Sequence, residues 1–404
     1  MSKNSKILFL SFTLVLLLTA VGAVSAADTN NTDNSIVSED NSISESMIQQ
    51  EKIIKDKPVK DNVVKVDAKL EDKKAGSVKT STNTETKNIK KTIPTNKDVT
   101  DYNTLKAAWD EIQADGDENT HYTINVKNGQ YDFEDELKSN ITNTRYITLN
   151  GEDKTKTIFN AQNKSRHFNL DTTTLKLNIN NITFIGGNSI QGGSIYSKAT
   201  LVINNSDFKN NMAFSDSKST AGGAIDNRGN NSIYNSNFIN NQAIGFNGGH
   251  GGAIYNYNYS YIHNTTFINN QAIDNGDKSL NVGGVGGAIY YYPSVRTNYD
   301  LCTLSLCTFN NNSAKSTLQC YNKANGGAIY HNGVSFLNIT SCDFTNNHAD
   351  YYGGAIIIYS TYGKRSPNVI SCFFDNNTAT KRSPNIDGSF DQSANYYNDN
   401  SGCN

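Results

Sequence analysis

Residues 251–272 read GGAIYNYNYSYIHNTTFINNQA, and this pattern decides the fold because it recurs along the chain. Each copy opens with Gly-Gly, a small residue and Ile, at Gly192–Ile195, Gly222–Ile225, Gly251–Ile254, Gly286–Ile289, Gly326–Ile329 and Gly353–Ile356. Each copy closes with Phe-x-Asn-Asn-x-Ala, and the Phe residues are Phe208, Phe238, Phe267, Phe309, Phe344 and Phe374. Six copies of one pattern indicate a solenoid, since internal self-similarity is typical of repeat architectures.

Each copy contains three segments that we interpret as short strands. The first follows Gly-Gly, the second alternates apolar residues as at Leu201 and Ile203, and the third ends at Phe. The odd separation of Ile203 and Phe208 requires a bend, because a straight strand alternates its faces with a period of two. Asn residues supply such bends and Gly-Gly relaxes another. Three strands per coil predict an all-β parallel β-helix, with Phe stacked in the core and Asn in an inward ladder.

Composition divides the chain into four parts. Residues 1–26 are typical of a secretory signal, with a basic start, an apolar run and small residues before the cleavage site. An uncleaved membrane anchor is the alternative. Residues 27–100 hold many charges and no aromatic residue, which predicts a disordered polar linker. The β-helix is predicted over residues 101–390, followed by a polar tail over residues 391–404.

The segment TDYNTLKAAWDEIQADG, which opens the packed region, predicts an amphipathic helix. Leu105, Trp109 and Ile112 share one face at spacings of four and three. Asp101 or Asn103 can cap its N-terminus. We expect this helix to cover the N-terminal end of the solenoid, which would otherwise leave backbone groups unpaired.

The overall composition argues against several classes of function. The 36 basic and 38 acidic residues give a net charge of −2, so charge provides no reason to expect nucleic acid or an anionic membrane as a partner. No Cys-x-x-Cys or Cys/His cluster suggests a metal, and no phosphate loop or nucleophile elbow is present. We therefore expect no cofactor, and membrane contact only through the signal sequence.

Three of the six cysteines follow the repeat. Cys307, Cys342 and Cys372 stand two residues before the repeat Phe, where earlier copies have Ser or Thr. We interpret them as buried free thiols, with a disulfide between neighbouring coils as the alternative. Cys302 and Cys320 flank an insertion and are the better candidates for a disulfide.

The recurring motifs also carry a resemblance to known families. The GGAI and FxxN pairs, as at Gly252-Ala253-Ile254 and Phe267–Asn270, resemble the passenger repeats of the chlamydial polymorphic outer-membrane proteins. With its signal, linker and Asn-rich composition, the chain also resembles the adhesin-like surface proteins of methanogenic archaea. The resemblance covers roughly residues 175–379. It implies a right-handed parallel β-helix on a secreted or cell-surface protein, and it brings no catalytic residues with it.

Tyrosines follow the repeat Ile in several copies. Because Ile points inward, the next residue should point outward, which predicts an exposed aromatic strip. Such a strip can stack sugar rings or a partner protein. The alternative is a tyrosine ladder that only covers a sheet. The candidate binding residues are Tyr196, Tyr255, Tyr257, Tyr290, Tyr291 and Tyr330.

An enzymatic alternative follows from the fold, since β-helices of the pectin lyase-like type include polysaccharide lyases and glycoside hydrolases. Glycoside hydrolysis uses two carboxyl groups ~5–10 Å apart. Neither the residues before Phe nor those after Ile place two acids on neighbouring coils. Residues near or within the insertions can still converge, and they are His250, His263, Asp274, Asp277, Arg296 and Asp300.

The sequence therefore favours an exported, adhesin-like surface protein that performs no reaction. Its expected partner is an extracellular glycan or a surface protein of another cell, bound through loops and the tyrosine strip. The first alternative is a secreted polysaccharide lyase or glycoside hydrolase. The second is a structural component of the cell envelope that self-associates through an uncapped end of the solenoid.

Overall fold

A computed structural model describes residues 94–276, 283–292, 301–317, 323–333, 336–359 and 367–398. Within these residues the chain winds into a parallel β-helix, in which each coil adds one short strand to each of several parallel sheets. This confirms the predicted all-β solenoid. The predicted signal and nearly all of the predicted linker lie outside the described residues.

Four sheets run along the solenoid, numbered here in the order in which a coil enters them. Sheet 1 contains Leu137–Ser139, Phe168–Leu170, Ile195–Ser197, Ile225–Asn227, Ile254–Asn256, Ile289–Tyr291, Ile329–Asn332, Ile356–Tyr359 and Ile386–Gly388. Sheet 2 contains Asn96–Val99, Thr120–Val126, Arg145–Gly151, Leu175–Asn180, Thr200–Asn204, Asn231–Tyr234, Ser260–His263, Leu301–Ser305, Phe336–Thr340, Asn368–Ile370 and Asp391–Ser393.

Sheets 3 and 4 complete each coil. Sheet 3 contains Gly129–Asp132, Thr157–Asn160, Thr183–Ile185, Asp207–Lys209, Asn237–Ile239, Thr266–Ile268, Thr308–Asn310, Asp343–Thr345, Phe373–Asp375 and Tyr396–Tyr397. Sheet 4 contains Asn188–Ser189, Met212–Ser215, Gln242–Gly245, Gln271–Asp274, Ser313–Ser316, His348–Ala349 and Thr378–Ala379. A small fifth sheet pairs Thr220–Ala221 with Gly249–His250.

Each regular coil has four strands, so the predicted count of three was too low. The missed strand lies in sheet 4 and begins one residue before the closing Ala of the repeat. Its Ala points inward and is fully buried, as at Ala243 and Ala272. A single small residue gives almost no hydrophobic alternation, which is why sequence periodicity did not reveal this strand.

The strands extend past both predicted boundaries of the β-helix. Asn96–Val99 lies inside the predicted linker and pairs in parallel with residues 123–126 of sheet 2. Asp391–Ser393 and Tyr396–Tyr397 lie inside the predicted polar tail and continue sheets 2 and 3. Coil-to-coil backbone hydrogen bonds hold these strands even where the side chains are polar and exposed, so composition did not predict them.

The predicted N-terminal helix is α1, which spans Tyr102–Ala114. Asp101 caps it, because its side chain accepts the N–H of Thr104 while the Thr104 hydroxyl accepts the N–H of Asp101. Trp109 is fully buried, its ring is tilted against the Phe168 ring with 5.3 Å between the ring centres, and it donates to a backbone carbonyl of the first strand of sheet 1. The helix therefore packs over the first strands of the solenoid, as predicted.

The second Asn of each Asn-Asn pair forms a ladder inside the core, as predicted. Asn241 shows the arrangement: its Nδ2 and its backbone N–H both donate to Oδ1 of Asn270 in the next coil, each at 3.0 Å. The same Nδ2 donates to the carbonyl of Phe208 in the preceding coil, at 2.9 Å. Burial of an amide is costly unless it is hydrogen-bonded, and this ladder satisfies the amide group of each coil through its neighbours.

Cys307, Cys342 and Cys372 are buried free thiols. The backbone N–H of Cys307 donates to Sγ of Cys342 at 3.4 Å, and Sγ of Cys307 donates to the carbonyl of Ser305 at 3.3 Å. Burial raises the pKa of Cys342 well above its ordinary value. The thiols thus take the place of the buried serines of earlier coils, and the disulfide alternative is wrong for these three. Cys320 lies outside the described residues.

The two glycines that open each repeat are required for two different physical reasons. The first has a left-handed backbone, as at Gly251 with φ +68°. The second lies against the next coil: a Cβ on Gly252 would stand 2.0 Å from the carbonyl oxygen of Gly287. No side chain fits there, so this corner sets how closely successive coils approach.

We predict that Gly252→Ala lowers the free energy of unfolding by at least about 3 kcal/mol, because the new methyl clashes with backbone that has no room to move. Gly116→Ala is the control, since a Cβ there meets nothing within 4 Å. Urea unfolding followed by circular dichroism measures both. Equal stabilities for the two variants would contradict the close-approach argument.

The bend between sheets 2 and 3 places one residue of each coil in the left-handed region. Asn occupies it at Asn205, Asn235 and Asn264, with φ between 46° and 50°. In the next coil the same position is Leu306, with φ 53° and a side chain that is 54% exposed. A leucine pays a steric cost in this conformation that asparagine reduces by bonding locally.

We predict that Leu306→Asn raises the free energy of unfolding by about 1 kcal/mol through relief of this strain. Leu306→Ala is the matched control, because it removes the exposed apolar side chain but keeps a Cβ at positive φ. Thermal and urea unfolding of the three proteins provide the measurement. A gain of the same size in Leu306→Ala would show that strain is not the cause.

Candidate functional site

The outer side of sheet 1 carries two rows of side chains that run along the solenoid. The first row is the residue after the repeat Ile, and strand register stacks Tyr196, Asp226, Tyr255, Tyr290, Tyr330, Ile357 and Asp387. The second row lies two residues farther along each coil and contains Arg228, Tyr257, Tyr292, Asn332 and Tyr359. Side chains that are far apart in sequence are thereby brought into adjacent positions.

Six tyrosines of these rows form one connected surface, here called the tyrosine face: Tyr255, Tyr257, Tyr290, Tyr292, Tyr330 and Tyr359. The ring of Tyr290 lies 5.3 Å from Tyr255, 5.1 Å from Tyr330 and 6.1 Å from Tyr292. Tyr257 lies 5.8 Å from Tyr292, and Tyr359 lies 5.8 Å from Tyr330. The tilted contacts are within the favourable range for aromatic pairs.

The two rows of the tyrosine face differ in exposure. Tyr292 and Tyr359, in the second row, are 41% and 43% exposed. Tyr290, in the first row, is only 7% exposed because rings surround it on three sides. The first row therefore forms the base of the surface, and the second row presents ring area to a ligand.

The centre of the tyrosine face is uncharged near neutral pH. Burial raises the pKa of Tyr290 to about 12, and it also raises the pKa of Tyr255 and Tyr330. The ring of His250 lies 5.3 Å from that of Tyr290, and burial lowers the pKa of this histidine to about 4. The surface therefore offers neutral aromatic rings and hydroxyl groups.

Four of the six tyrosines predicted from sequence belong to this face, and two do not. Tyr291 is wrong as a surface candidate: it is 1% exposed and points into the core, with its ring 6.5 Å from His331. Tyr291 is the second residue after Ile289, and a strand alternates its faces with a period of two, so Tyr291 points to the same inner side as the Ile. Tyr196 points outward as predicted, but Asp226 stands between it and Tyr255 in the row.

Sequence reasoning missed Tyr292 and Tyr359 as site residues. Both stand three residues after the repeat Ile, as does Tyr257 in its own coil. That shared offset was a usable signal, because equal offsets from the repeat stack in space. The column directly after Ile is richer in tyrosine, although its tyrosines are less exposed than Tyr292 and Tyr359.

An Asp–Arg pair with a buried carboxylate adjoins the tyrosine face at its N-terminal end. Nε and Nη2 of Arg228 each lie 3.2 Å from a carboxyl oxygen of Asp226. The Arg228 guanidinium also lies 5.4 Å from the ring centre of Tyr196. The Asp226 side chain is fully buried, and this burial raises the pKa of its carboxyl to about 6 even though the guanidinium lowers it.

This raised pKa predicts a specific pH dependence of stability. Between about pH 4 and pH 6 the folded state holds the Asp226 proton more strongly than the unfolded chain, whose carboxyl has the ordinary pKa of 3.8. The free energy of unfolding of the wild type, relative to Asp226→Asn, should therefore fall by about 2–3 kcal/mol as pH rises through this window. Urea unfolding of both proteins at pH 4, 5, 6 and 7 measures the difference. A difference that grows with pH would show that pairing with Arg228 outweighs burial.

Where the structure describes them, the residues proposed for an enzymatic site lie on three different sheets. His250 lies in the small fifth sheet, His263 in sheet 2 and Asp274 in sheet 4. Asp277, Arg296 and Asp300 lie outside the described residues. Among the residues that are described, no three His, Cys, Asp or Glu side chains cluster in a way that could hold a metal ion.

Comparison with known proteins supports the resemblance of the repeats. The chain matches the model of the Chlamydia polymorphic membrane protein repeat over residues 264–292, 306–332 and 341–357. Comparison with curated proteins and with solved structures found no match. In the described part of the chain, no helix combines the length and apolarity needed to cross a bilayer. The repeats of this chain are similar to those of polymorphic membrane proteins, a family associated with the outer membrane or the cell surface, and this is consistent with a surface location.

Proposed function

We propose that this chain is an adhesin-like protein of the cell surface that binds an extracellular glycan on its tyrosine face and performs no reaction on it. The observation that carries the proposal is the connected surface of six tyrosines in two rows on sheet 1. The match to repeats of surface-associated proteins supports the location. The resemblance to archaeal adhesin-like proteins supports export in the same way.

The chemistry of the face favours a sugar chain as the ligand. A pyranose ring has an apolar face and a rim of hydroxyl groups, which complements a tyrosine ring with its polar tip. Coils repeat at about 4.8 Å, so the rings follow one another along the solenoid axis. A polysaccharide laid along this axis would meet a ring at nearly every coil, and no charge in the centre of the face would oppose a neutral chain.

The positions of the acids support binding without reaction. Asp226 and Asp387 are the two carboxylates of the first row, and four residues separate them in the column. Five coil steps of about 4.8 Å place them about 24 Å apart, well beyond the ~5–10 Å that paired glycosidase carboxyls require. Each is also paired with an arginine. The tyrosine face thus offers aromatic contact without a carboxyl pair.

The test is binding of the full chain to immobilised polysaccharides, with release of reducing sugar and unsaturated product followed on the same material. We predict that Tyr292→Ala combined with Tyr359→Ala weakens binding about 5- to 150-fold, since two aromatic contacts of about 0.5–1.5 kcal/mol each are lost. Tyr396→Ala is the control, because this tyrosine is 62% exposed on sheet 3 and lies outside the face. It should bind as the wild type does.

Each result has a definite meaning. Saturable binding without product, lost in the double variant and kept in the control, supports the proposal. Product release would show that the protein is a lyase or a glycoside hydrolase. Binding to cell-surface protein but to no glycan would assign the face to a protein partner. Concentration-dependent oligomers with no ligand binding would favour a structural role in the cell envelope.

A further inference from the structure

A pocket of about 230 Å³ lies at the C-terminal end of the tyrosine face. Its position follows from strand register, because Ile357 and Asp387 continue the first row beyond Tyr330, and Tyr359 ends the second row. The residues that line it include Ile357, Ile358, Tyr359, Arg382, Asp387 and Ser389. Sites for drug-sized ligands occupy about 300–1,000 Å³, so this pocket suits a smaller group such as one sugar ring.

The pocket has one apolar side and one polar side. Ile357 is almost completely buried and forms an apolar base, and the half-exposed ring of Tyr359 stands beside it, while the side chain of Ile358 belongs to the core. The lining also includes Arg382, Asp387 and Ser389, and strand register places Asp387 next to Ile357 in the following coil. An apolar surface faced by a few polar groups is the usual composition of a small-molecule site.

The polar groups keep hydrogen-bonding capacity for a ligand. Nε and Nη2 of Arg382 both approach Oδ2 of Asp387 at 3.4 Å, and the Ser383 hydroxyl approaches Oδ1 at the same distance. These contacts are at the long limit for hydrogen bonds, and the Arg382 side chain is 65% exposed. Arg382 is positioned instead by the ring of Tyr352, whose centre lies 4.5 Å from the guanidinium carbon.

The pocket pairs one acidic with one basic side chain, and this favours a ligand without net charge. An acidic sugar would be attracted by Arg382 and repelled by Asp387, and an amino sugar the reverse, so the pair gives neither charge a net attraction. Neighbouring hydroxyl groups of a neutral pyranose can donate to the carboxylate and accept from the guanidinium at the same time. The apolar face of the same ring can stack on Tyr359.

We propose that this pocket is the end subsite of the tyrosine face and holds one neutral pyranose unit of the bound glycan through Tyr359, Arg382 and Asp387. This inference rests on the proposed glycan-binding function. It adds the class of sugar and the end of the tyrosine face at which this sugar unit binds. The Asp226–Arg228 pair at the opposite end offers no equivalent site, because its carboxylate is fully buried and both oxygens are bonded at 3.2 Å.

The test uses the full chain with four immobilised probes: a β-1,3-glucan, a mannan, a galactan and polygalacturonate. Asp387→Ala and Arg382→Ala should each weaken binding of the preferred neutral polysaccharide at least tenfold, since each removes a charged hydrogen-bonding partner. Asp391→Ala is the matched control, because it removes an exposed carboxylate on sheet 2 of the same final coils. Unfolding midpoints of the variants should equal that of the wild type.

A second measurement tests the charge argument directly. Asp387→Asn keeps the shape of the pocket and removes the negative charge, so it should gain binding of polygalacturonate that the wild type lacks. Preference of the wild type for polygalacturonate would overturn the neutral-sugar assignment.

The two proposals fail in distinguishable ways. Binding that is lost in Tyr292→Ala but unchanged in Asp387→Ala and Arg382→Ala would overturn the subsite and leave the tyrosine face intact. A wild type that binds none of the polysaccharides would overturn the glycan-binding function, and the subsite with it.

Discussion

Close contact between successive coils at the Gly-Gly corner is the constraint on which the rest of this structure depends. The carbonyl oxygen of one coil occupies the space that a side chain would need on the coil before it, as between Gly252 and Gly287. This contact leaves no freedom for one coil to slip along its neighbour. Once the register is set, each position of the repeat stacks on the equivalent position of the next coil, so side chains of the same type lie next to each other. The stacked Phe rings, 4.7–5.1 Å apart, and the buried Asn ladder both follow from that register.

The same stacking explains why the core accepts polar residues. A buried amide is costly alone, but Asn270 finds a donor and an acceptor in the coils on either side of it. The small residue two positions before Phe follows the same rule: serine hydroxyls in earlier coils and cysteine thiols in later coils make the same backbone hydrogen bonds. A substitution is thus tolerated when it reproduces the contact made by its neighbours. Leu306 shows the opposite case, because the preceding coils use asparagine to adopt a conformation that leucine reaches only with strain.

Function uses the outer side of the same columns. Along sheet 1 an outward position is repeated with little change over several coils, and the result is a continuous surface rather than isolated side chains. Each ring is supported by the rings of adjacent coils, so the face is preorganised for a ligand that is itself a chain. Departures from the repeat mark the limits of the tyrosine face. Asp226 interrupts the first row of rings at the N-terminal end, and Ile357 and Asp387 replace tyrosine in this row at the C-terminal end. The solenoid thus provides a linear surface whose ends are chemically different.

The sequence by itself determined the solenoid, the inward Phe and Asn columns and the capping helix, because each rests on a local pattern that repeats or on the spacing of a single amphipathic face. It also determined that the residue after Ile faces outward. Only the tertiary structure decided which tyrosines form a surface. Tyr291 lies inside because strand parity places it there, and Tyr359 joins the face because register stacks it near Tyr330. The fourth strand and the pocket beside Asp387 also depend on contacts between coils. Such contacts join residues about thirty positions apart in sequence, and no local pattern records how exposed a side chain is once its neighbours have packed around it.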